Sequence, residues 1–324
     1  MKALRGPLGS IVELLSKRKA PKPPPIEVRR FAGPAAYQNA LDGIRVAHLT
    51  DLHVGRVTPL TVQREAVALA NGAEPDLTVI TGDFVCHSQK YLDELTAVIS
   101  ELKSPVLCVL GNHDHWSGAE AVRRALRKGG AEVLDNAHTT LTLRHQRLQV
   151  VGLDDAYTGH ADREKALKGL RADLPTLGLS HIAEEADALW ARGVPLVLAG
   201  HTHAGQVTLA RLHELALGKL VGHKYVHGLY GTRARDGSGA VEGAVYVGAG
   251  IGAAVMPIRL GDRGRRELAI FELGADVQVD AEHHAEQPAL AGRKPSDALV
   301  EKRRAAVHKK MWLREMQAAK RTPR

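Results

Sequence analysis

The sequence predicts an α/β fold built from layers of sheet and helix. Its 324 residues are 44% hydrophobic, which is enough for one large domain with a substantial core. From about Ile44 onwards, short apolar runs alternate with amphipathic stretches, which is the pattern of strands separated by helices. No run reaches the roughly eighteen consecutive apolar residues of a membrane-spanning helix, so we expect a soluble chain that contacts a membrane at its surface at most.

Apolar runs of strand length recur through the body of the chain. Two segments between the first three runs are predicted helices: PLTVQREAVALANGA, with Pro59 near its start, and YLDELTAVISELK, whose apolar residues recur every three or four positions. The predicted strands are IRVAHL, DLTVI, PVLCVL, LQVVGL, LGLS, PLVLA, AVYVGA and LAIFEL.

Charge and proline content divide the chain into three parts. We predict a basic, proline-rich segment (1–30), a single folded domain (31–274), and a linker followed by a basic helix or tail (275–324). Residues 1–30 carry 8 Lys and Arg against 2 Asp and Glu, and residues 293–324 carry 11 against 3. Because this charge lies in predicted tails and the body is acidic, we do not expect a nucleic-acid partner. Contact of the tails with an anionic membrane is one hypothesis, and solvated tails are the alternative.

Two cysteines, Cys86 and Cys108, are too few for a disulfide framework. Both lie in or beside apolar runs, so we expect free thiols in a reducing compartment. A cytoplasmic location follows from this expectation, with peripheral contact at the inner face of the membrane as a further hypothesis.

Five short polar motifs stand immediately after predicted strands. The carboxyl ends of strands are where α/β sheets bind ligands, so the motifs should gather at one place. Each motif alone is weak evidence, but their shared position makes the set informative. They are Asp51-Leu52-His53, Gly82-Asp83, Gly111-Asn112-His113-Asp114, Ser180-His181 and Gly200-His201-Thr202-His203.

The residue types in these motifs favour two divalent metal ions. Imidazole nitrogens mixed with carboxylate and amide oxygens suit manganese, zinc or iron better than calcium. Seven candidate ligands exceed what one tetrahedral zinc uses, and a carboxylate on a middle strand can bridge two ions, so we expect Asp83 to be the bridge. The candidates are Asp51, His53, Asp83, Asn112, His181, His201 and His203.

The order DxH, GD, GNHD, H and GHxH resembles the calcineurin-like metallophosphoesterase family across the folded body. The resemblance implies a β-sandwich flanked by helices. It also implies that a metal-bridging hydroxide attacks phosphorus, that His113 is the general acid or charge stabiliser, and that Asp114 orients His113. One implied metal is held by Asp51, His53, Asp83 and His203, and the other by Asp83, Asn112, His181 and His201.

Further stretches, including VLGNHDHW, VVGLDDA and GHTHAGQV, are similar to the bacterial YkuE/YaeI-like phosphodiesterase branch of that family. The branch includes an enzyme of the lipid A pathway that cleaves the pyrophosphate of UDP-2,3-diacylglucosamine. We therefore predict a two-metal hydrolase of a phosphodiester or pyrophosphate bond, with that lipid-linked compound as a hypothetical substrate. The alternatives are a nuclease or nucleotide phosphodiesterase, and a catalytically weak metal-binding scaffold of the same fold. In this sequence Ala204 stands where we expect glycine.

Several other residues have two possible roles. Asp154 and Asp155 are candidates for orienting a substrate or ligand, or for capping a turn. His223 and His227, with Lys224, are candidates for phosphate contact. Gly248, Gly250 and Gly252 favour close backbone approach to the metal site. Apolar residues in the segment 207–231 could line an acyl-chain groove, with ordinary core packing as the alternative.

Overall fold

Two sheets form the body of the protein in the computed structural model, which describes residues 25–205, 222–233, 243–253, 265–275 and 286–321. The strands are β1 (Glu27–Ala32), β2 (Ile44–Leu49), β3 (Leu77–Thr81), β4 (Val106–Val109), β5 (Ala131–Val133), β6 (Ala137–Leu143), β7 (Gln146–Gly152), β8 (Thr176–Leu179), β9 (Leu196–Ala199), β10 (Gly228–Gly231), β11 (Ala244–Val247) and β12 (Glu267–Leu273). The helices are α1 (Leu60–Gly72), α2 (Leu92–Ser100), α3 (Asn112–Ser117), α4 (Ala119–Lys128), α5 (Arg163–Leu167), α6 (Ala186–Trp190) and α7 (Asp297–Arg321). Short 3₁₀ turns lie at Ala35–Tyr37, Gln89–Tyr91, Ala183–Glu185 and His203–Gly205.

Each sheet has six strands, and its central strands are parallel. The first sheet has the order β1-β12-β2-β3-β4-β5, and the second has the order β10-β11-β9-β8-β7-β6. Strands β2 to β5 run parallel in the first sheet, and β7, β8, β9 and β11 run parallel in the second. Parallel pairing brings the carboxyl ends of neighbouring strands to one edge. The loops after β2, β3 and β4 therefore meet at one edge of the first sheet, and the loops after β8 and β9 meet at one edge of the second.

Three apolar layers hold the sandwich together. On β3, Val79 faces the core between the sheets, whereas its neighbour Ile80 faces the helices outside the first sheet. On β9, Leu198 faces the core between the sheets and Val197 faces the helices outside the second. Strands buried on both faces read as continuous apolar runs, which is why the sequence predicted them. The predicted α/β sandwich flanked by helices is confirmed.

The predicted helices begin and end close to the expected residues. Helix α1 follows Pro59, which occupies its N-cap position. Helix α2 buries Leu95, Val98 and Ile99 against the first sheet, in agreement with the spacing of its apolar residues. The two cysteines are free thiols, as predicted, with Cys108 buried and Cys86 half-buried.

The folded body begins earlier than the predicted boundary at residue 30. Strand β1 starts at Glu27 and pairs in parallel with β12, so that Arg29 lies opposite Ala269. The Arg29 side chain is buried, and its Nε lies 2.8 Å from a carboxylate oxygen of Glu267. The two partners of this ion pair are 238 residues apart in the chain, so local sequence does not reveal the strand. The part of the predicted N-terminal segment that precedes residue 25 lies outside the described residues.

The C-terminal basic segment forms helix α7, the first of the two predicted alternatives. It packs against α3, and Val307 on its inner face is only 2% exposed. Within the part of the chain that the structure describes, no helix is long and apolar enough to cross a membrane. Most of the predicted acyl-chain groove, residues 207–221, lies outside the described residues.

Candidate metal centre

The polar motifs converge where the strands of the two sheets end. Asp51, Asp83 and His181 follow β2, β3 and β8, and all three are at most 1% exposed. Asn112 opens α3 directly after β4 and is 2% exposed. The loop after β9 brings His201 and His203 to the same place. All seven predicted ligands thus stand at the carboxyl ends of strands, namely Asp51, His53, Asp83, Asn112, His181, His201 and His203.

Four of these residues form a compact cluster of ligand atoms. One atom each from Asp51, His53, Asp83 and His203 lies within 4.8 Å of the others. The Nε2 atoms of His53 and His203 are 2.9 Å apart, and His203 Nε2 is 3.2 Å from Asp51 Oδ1. Two ligands that are each about 2.1 Å from one ion are about 3.0 to 3.4 Å apart at octahedral or tetrahedral angles. This cluster therefore has the spacing of a single metal site.

Asp83 faces both sets of predicted ligands. Its Oδ2 lies 3.6 Å from His53 Nε2 in the first set and 3.5 Å from His181 Nε2 in the second. His181 Nε2 in turn lies 3.3 Å from His201 Nδ1. The Nδ1 atom of His181 is directed at the carbonyl of Thr81, 2.7 Å away, which leaves Nε2 for the site. One carboxylate between two groups of imidazoles is the arrangement that a bridging ligand requires.

Two buried oxygens at the site lack hydrogen-bond partners among the described residues. They are Asp51 Oδ1 and Asn112 Oδ1. A buried polar atom without a partner costs about 1 to 3 kcal/mol, so native structures keep few of them. A cation would satisfy both oxygens. The imidazole, carboxylate and amide donors together fit manganese, zinc or iron.

Burial controls the charge of the ligands. It lowers the pKa of His53 to about 3 and the pKa of His201 well below its usual value, so both rings are neutral and able to coordinate. Burial also raises the pKa of Asp51. For His181, burial alone would lower the pKa, but the carboxylate of Asp83, assisted by Asp51, raises it to about 10. The buried carboxylates of Asp51 and Asp83 therefore stabilise positive charge at this site.

The backbone at the site is strained. A positive φ costs a residue with a Cβ about 1 to 2 kcal/mol and persists only where the surrounding fold imposes it. Five of the ligands have this conformation, with φ values of 52° at Asp51, 43° at His53, 55° at Asp83, 75° at His201 and 51° at His203. Ala204, which stands where the family resemblance led us to expect glycine, also has φ of 51°, a conformation that glycine adopts without strain.

Glycines allow the backbone to approach the ligands closely. A Cβ on Gly250 would lie 2.8 Å from Asp51 Cβ, and one on Gly252 would lie 2.2 Å from the Leu52 carbonyl oxygen. A Cβ on Gly248 would lie 2.8 Å from Thr50 Cγ2. The predicted close approach of this glycine segment to the metal site is confirmed.

His113 and Asp114 have different surroundings. The His113 amide donates to Asp83 Oδ1 over 2.8 Å, and its ring Nε2 lies 3.9 Å from Asp83 Oδ2. The ring Nδ1 is buried without a partner among the described residues. Asp114 instead accepts hydrogen bonds from the amides of Phe84 and Gly111, over 2.8 and 2.9 Å. Asp114 therefore joins the Asp83 loop to the start of α3, and this corrects the expectation that it orients the His113 ring.

Comparison with known proteins identifies the family. Residues 44–205, half of the chain, match the family model described as calcineurin-like phosphoesterase, and this stretch contains all seven predicted ligands. The chain belongs to the calcineurin-like phosphoesterase family. The protein is accordingly a metal-dependent phosphoesterase.

Relatives of this phosphoesterase define its branch. It is 29% identical over 241 residues to the uncharacterized metallophosphoesterase YkuE of Bacillus subtilis. The aligned region covers 72% of this chain and 80% of that protein. It is 29% identical over 191 residues to the phosphodiesterase YaeI of Escherichia coli, with 57% and 69% covered. A transmembrane protein with a metallophosphoesterase domain from Bos taurus is 30% identical over 281 residues. The aligned region covers 81% of this chain and 60% of that protein. The predicted YkuE/YaeI-like branch is confirmed.

Aromatic rings wall the phosphoesterase site beside the ligands. The rings of His87 and Trp116 lie 4.3 and 4.8 Å from His113, measured between centroids. Tyr157 lies 5.1 Å from His201 in the same way. Sequence reasoning did not assign Trp116 or Tyr157 to the site, because a single aromatic residue in a short helix or a turn carries no periodic signal.

The remaining candidates contact protein groups. Asp154 accepts from His115 Nε2 over 2.8 Å, and Asp155 caps a turn by accepting from the Thr158 amide over 2.8 Å. His227 is buried with its Nε2 3.0 Å from Glu267, which is a structural ion-pair position instead of the predicted phosphate contact. The other two candidates for phosphate contact pair with acidic side chains: His223 with Glu184 and Lys224 with Asp187.

Proposed function

We propose that the protein hydrolyses a phosphodiester or pyrophosphate bond with two divalent metal ions. The observation that carries the proposal is the position of Asp83, whose Oδ2 lies 3.6 Å from His53 Nε2 and 3.5 Å from His181 Nε2. The unpartnered oxygens of Asp51 and Asn112 support it. A phosphodiesterase among the relatives favours a diester over a monoester.

Different residues of the chain have different roles in metal binding and proton transfer. Asp51, His53 and His203 hold one cation, Asn112, His181 and His201 hold the other, and Asp83 lies between the two groups. Two divalent cations here would neutralise phosphoryl oxygens and lower the pKa of water from about 16 to near 7. His113 stands next to Asp83 with its Nε2 toward the centre, so it donates a proton to the leaving oxygen or stabilises its charge. Asp114 keeps the loops of Asp83 and His113 together through backbone hydrogen bonds.

Reconstitution with manganese or zinc and a substrate panel test this proposal. The panel contains bis(p-nitrophenyl) phosphate, p-nitrophenyl phosphate and UDP-2,3-diacylglucosamine. We expect kcat/KM for a diester or pyrophosphate to exceed that for the monoester by about 10-fold or more, since the site has to bind both ester groups. Preferential turnover of the monoester would refute the proposed bond type. Turnover of none of the three would favour a scaffold, although the chain retains every ligand and His113.

The same metal-reconstituted protein tests for nuclease activity. A nuclease that binds through basic tails loses affinity steeply as salt rises, because bound phosphates release counterions. We expect single-stranded DNA to be hydrolysed no faster than bis(p-nitrophenyl) phosphate at any salt concentration. Faster hydrolysis of DNA that falls between 50 and 200 mM salt would replace the diesterase proposal with a nuclease.

Peripheral contact with an anionic membrane is part of the proposal. Helix α7 exposes large apolar residues to solvent, amid a segment with 11 Lys and Arg against 3 Asp and Glu. Apolar residues surrounded by cations are typical of helices that lie in a lipid interface. The exposed residues are Leu299, Met311, Trp312, Leu313 and Met316, with Trp312 the most exposed at 57%.

Vesicle sedimentation tests the membrane contact. We expect binding to phosphatidylglycerol vesicles, weak binding to phosphatidylcholine vesicles, and loss of binding in the variant Trp312→Ser with Leu313→Ser. Point substitutions are the proper test because deletion of the terminal segments would remove β1 and the buried Val307. Equal binding by the variant and the wild type would refute the contact through α7.

A further inference from the structure

Three cations of α7 lie on one side of the helix. Arg303, Lys310 and Arg314 are spaced by seven and then four residues, which returns each of them to nearly the same direction around an α-helix. Val307 lies between them on this face and is buried, so this side of α7 is turned toward the domain. The helix therefore presents a row of three positive charges to α3 and the adjoining loops.

Each of these cations contacts a residue that walls the metal centre. Arg303 Cζ lies 3.6 Å from the centroid of the Tyr157 ring, and Lys310 Nζ lies 5.2 Å from the centroid of Trp116. Both are cation–π positions. Arg314 donates from Nη2 to the carbonyl oxygen of His87 over 3.4 Å.

Those three contacted residues in turn touch the site histidines. The Tyr157 ring is 5.1 Å from the ring of the predicted ligand His201, while Trp116 and His87 are 4.8 and 4.3 Å from His113. A single ring thus separates Arg303 and Lys310 from a residue of the reaction centre, and Arg314 contacts the backbone of His87, whose ring lies against His113. Long, flexible Arg and Lys side chains cover that distance by changing rotamer.

The structure describes no acidic partner for these three cations. No described carboxylate lies within 4.0 Å of Arg303, Lys310 or Arg314, whereas the adjacent Arg304 pairs with Glu301 over 2.7 Å. The Nη1 atom of Arg314 is buried without any hydrogen-bond partner in the described part of the chain. Burial lowers the pKa of both Lys310 and Arg314. Cations without a described acidic partner next to a phosphoesterase site are suited to an anionic ligand.

We infer that Arg303, Lys310 and Arg314 form a subsite for a second anionic group of the substrate, next to the scissile phosphate. The inference rests on the proposed function and narrows it. A pyrophosphate diester has a second phosphate directly beside the bond that is broken, and guanidinium groups bind phosphate oxygens with paired hydrogen bonds. A simple diester has only one charged phosphate and leaves the subsite without a ligand. The subsite is therefore a specificity determinant for pyrophosphate-type esters.

Two esters with the same nucleoside test the subsite in the metal-reconstituted full chain. They are p-nitrophenyl thymidine 5′-phosphate, with one charged phosphate, and dTDP-glucose, with two. The test variant combines Arg303→Gln, Lys310→Gln and Arg314→Gln. The control combines Lys294→Gln, Lys302→Gln and Lys309→Gln, which removes the same charge from exposed positions of the segment. Thermal unfolding of both variants checks that α7 remains docked.

We expect the test variant to lose at least about 10-fold in kcat/KM for dTDP-glucose and less than about 2-fold for the thymidine diester. The control variant should keep both activities. Equal losses for both esters, equal losses in test and control variants, or an increase for both esters would each overturn the subsite. If the wild type hydrolyses neither ester, the proposed function itself fails; if it hydrolyses the diester alone, only the subsite fails.

Discussion

Substitution of Gly200 by alanine is expected to weaken metal binding although Gly200 is not a ligand. A Cβ at this position would lie 2.5 Å from Asp51 Oδ2 and 2.0 Å from Thr50 Oγ1. Ordinary contacts begin near 3.4 Å, so the Asp51 oxygen has to move by about 0.9 Å and the Thr50 oxygen by about 1.4 Å. Metal sites tolerate ligand displacements of only about 0.2 Å.

The same displacement affects stability. Thr50 Oγ1 donates to Asp51 Oδ2 over 2.8 Å and contacts the Thr81 carbonyl over 3.0 Å, and its movement breaks this pair of contacts. Overpacking and the lost hydrogen bonds together are expected to lower the free energy of unfolding of the metal-free protein by about 3 kcal/mol. Metal affinity should fall by about 10- to 100-fold or more, in line with losses from disturbed supporting contacts.

Calorimetric titration of the metal-free variant with manganese measures the affinity, and urea unfolding measures the stability. Gly72→Ala is the matched control, because a Cβ at the end of α1 meets nothing within 4 Å. This control should keep the metal affinity and the stability of the wild type. A Gly200→Ala protein that binds manganese as tightly as the control would refute the placement of Asp51 as a ligand.

Three further perturbations have defined outcomes. His113→Ala should retain both metals, as measured by elemental analysis, while kcat falls about 100- to 10,000-fold; loss of metal together with activity would contradict its role. Removal of metal by a chelator should lower the free energy of unfolding by about 2.7 kcal/mol for each site, if the free metal concentration before chelation was a hundred times the Kd of that site. An unchanged urea midpoint would argue against a metal centre. Burial opposes ionisation of Glu267, but His227 and Arg29 lower its pKa to about 2, from an ordinary 4.5. Its roughly 3 kcal/mol of stability is therefore complete above pH 4.5 and is lost as pH falls toward 2. Glu267→Gln should lack this acid dependence in urea unfolding, and an identical pH profile would refute the assignment.

Much of the fold follows from local pattern because the central strands are buried on both faces. In β3, Val79 faces the second sheet and its neighbour Ile80 faces the helices, so both positions are apolar. The strand therefore reads as an uninterrupted apolar run. Edge strands lack this signal. In β6, the run AHTTLTL is largely polar because much of it is only partly buried, and sequence analysis therefore passed over it.

The site was predictable for a different reason. Parallel strands end at one edge, so residues directly after β2 and β3 meet, and the His53 amide donates to the Asp83 carbonyl oxygen over 2.9 Å. The packing of the two sheets then brings His181, which follows β8 of the second sheet, within 3.5 Å of Asp83. Contacts that depend on tertiary packing were not predictable. The amide partners of Asp114 and the docking of α7 on Trp116 and Tyr157 arise from loops and a helix whose positions no spacing rule determines.

Anomalous diffraction from a crystal reconstituted with manganese tests the central claim most directly. We predict two peaks in each chain, both in contact with the carboxylate of Asp83, with Asp51, His53 and His203 around one and the remaining predicted ligands around the other. A single peak, or two peaks that do not share Asp83, would contradict the account.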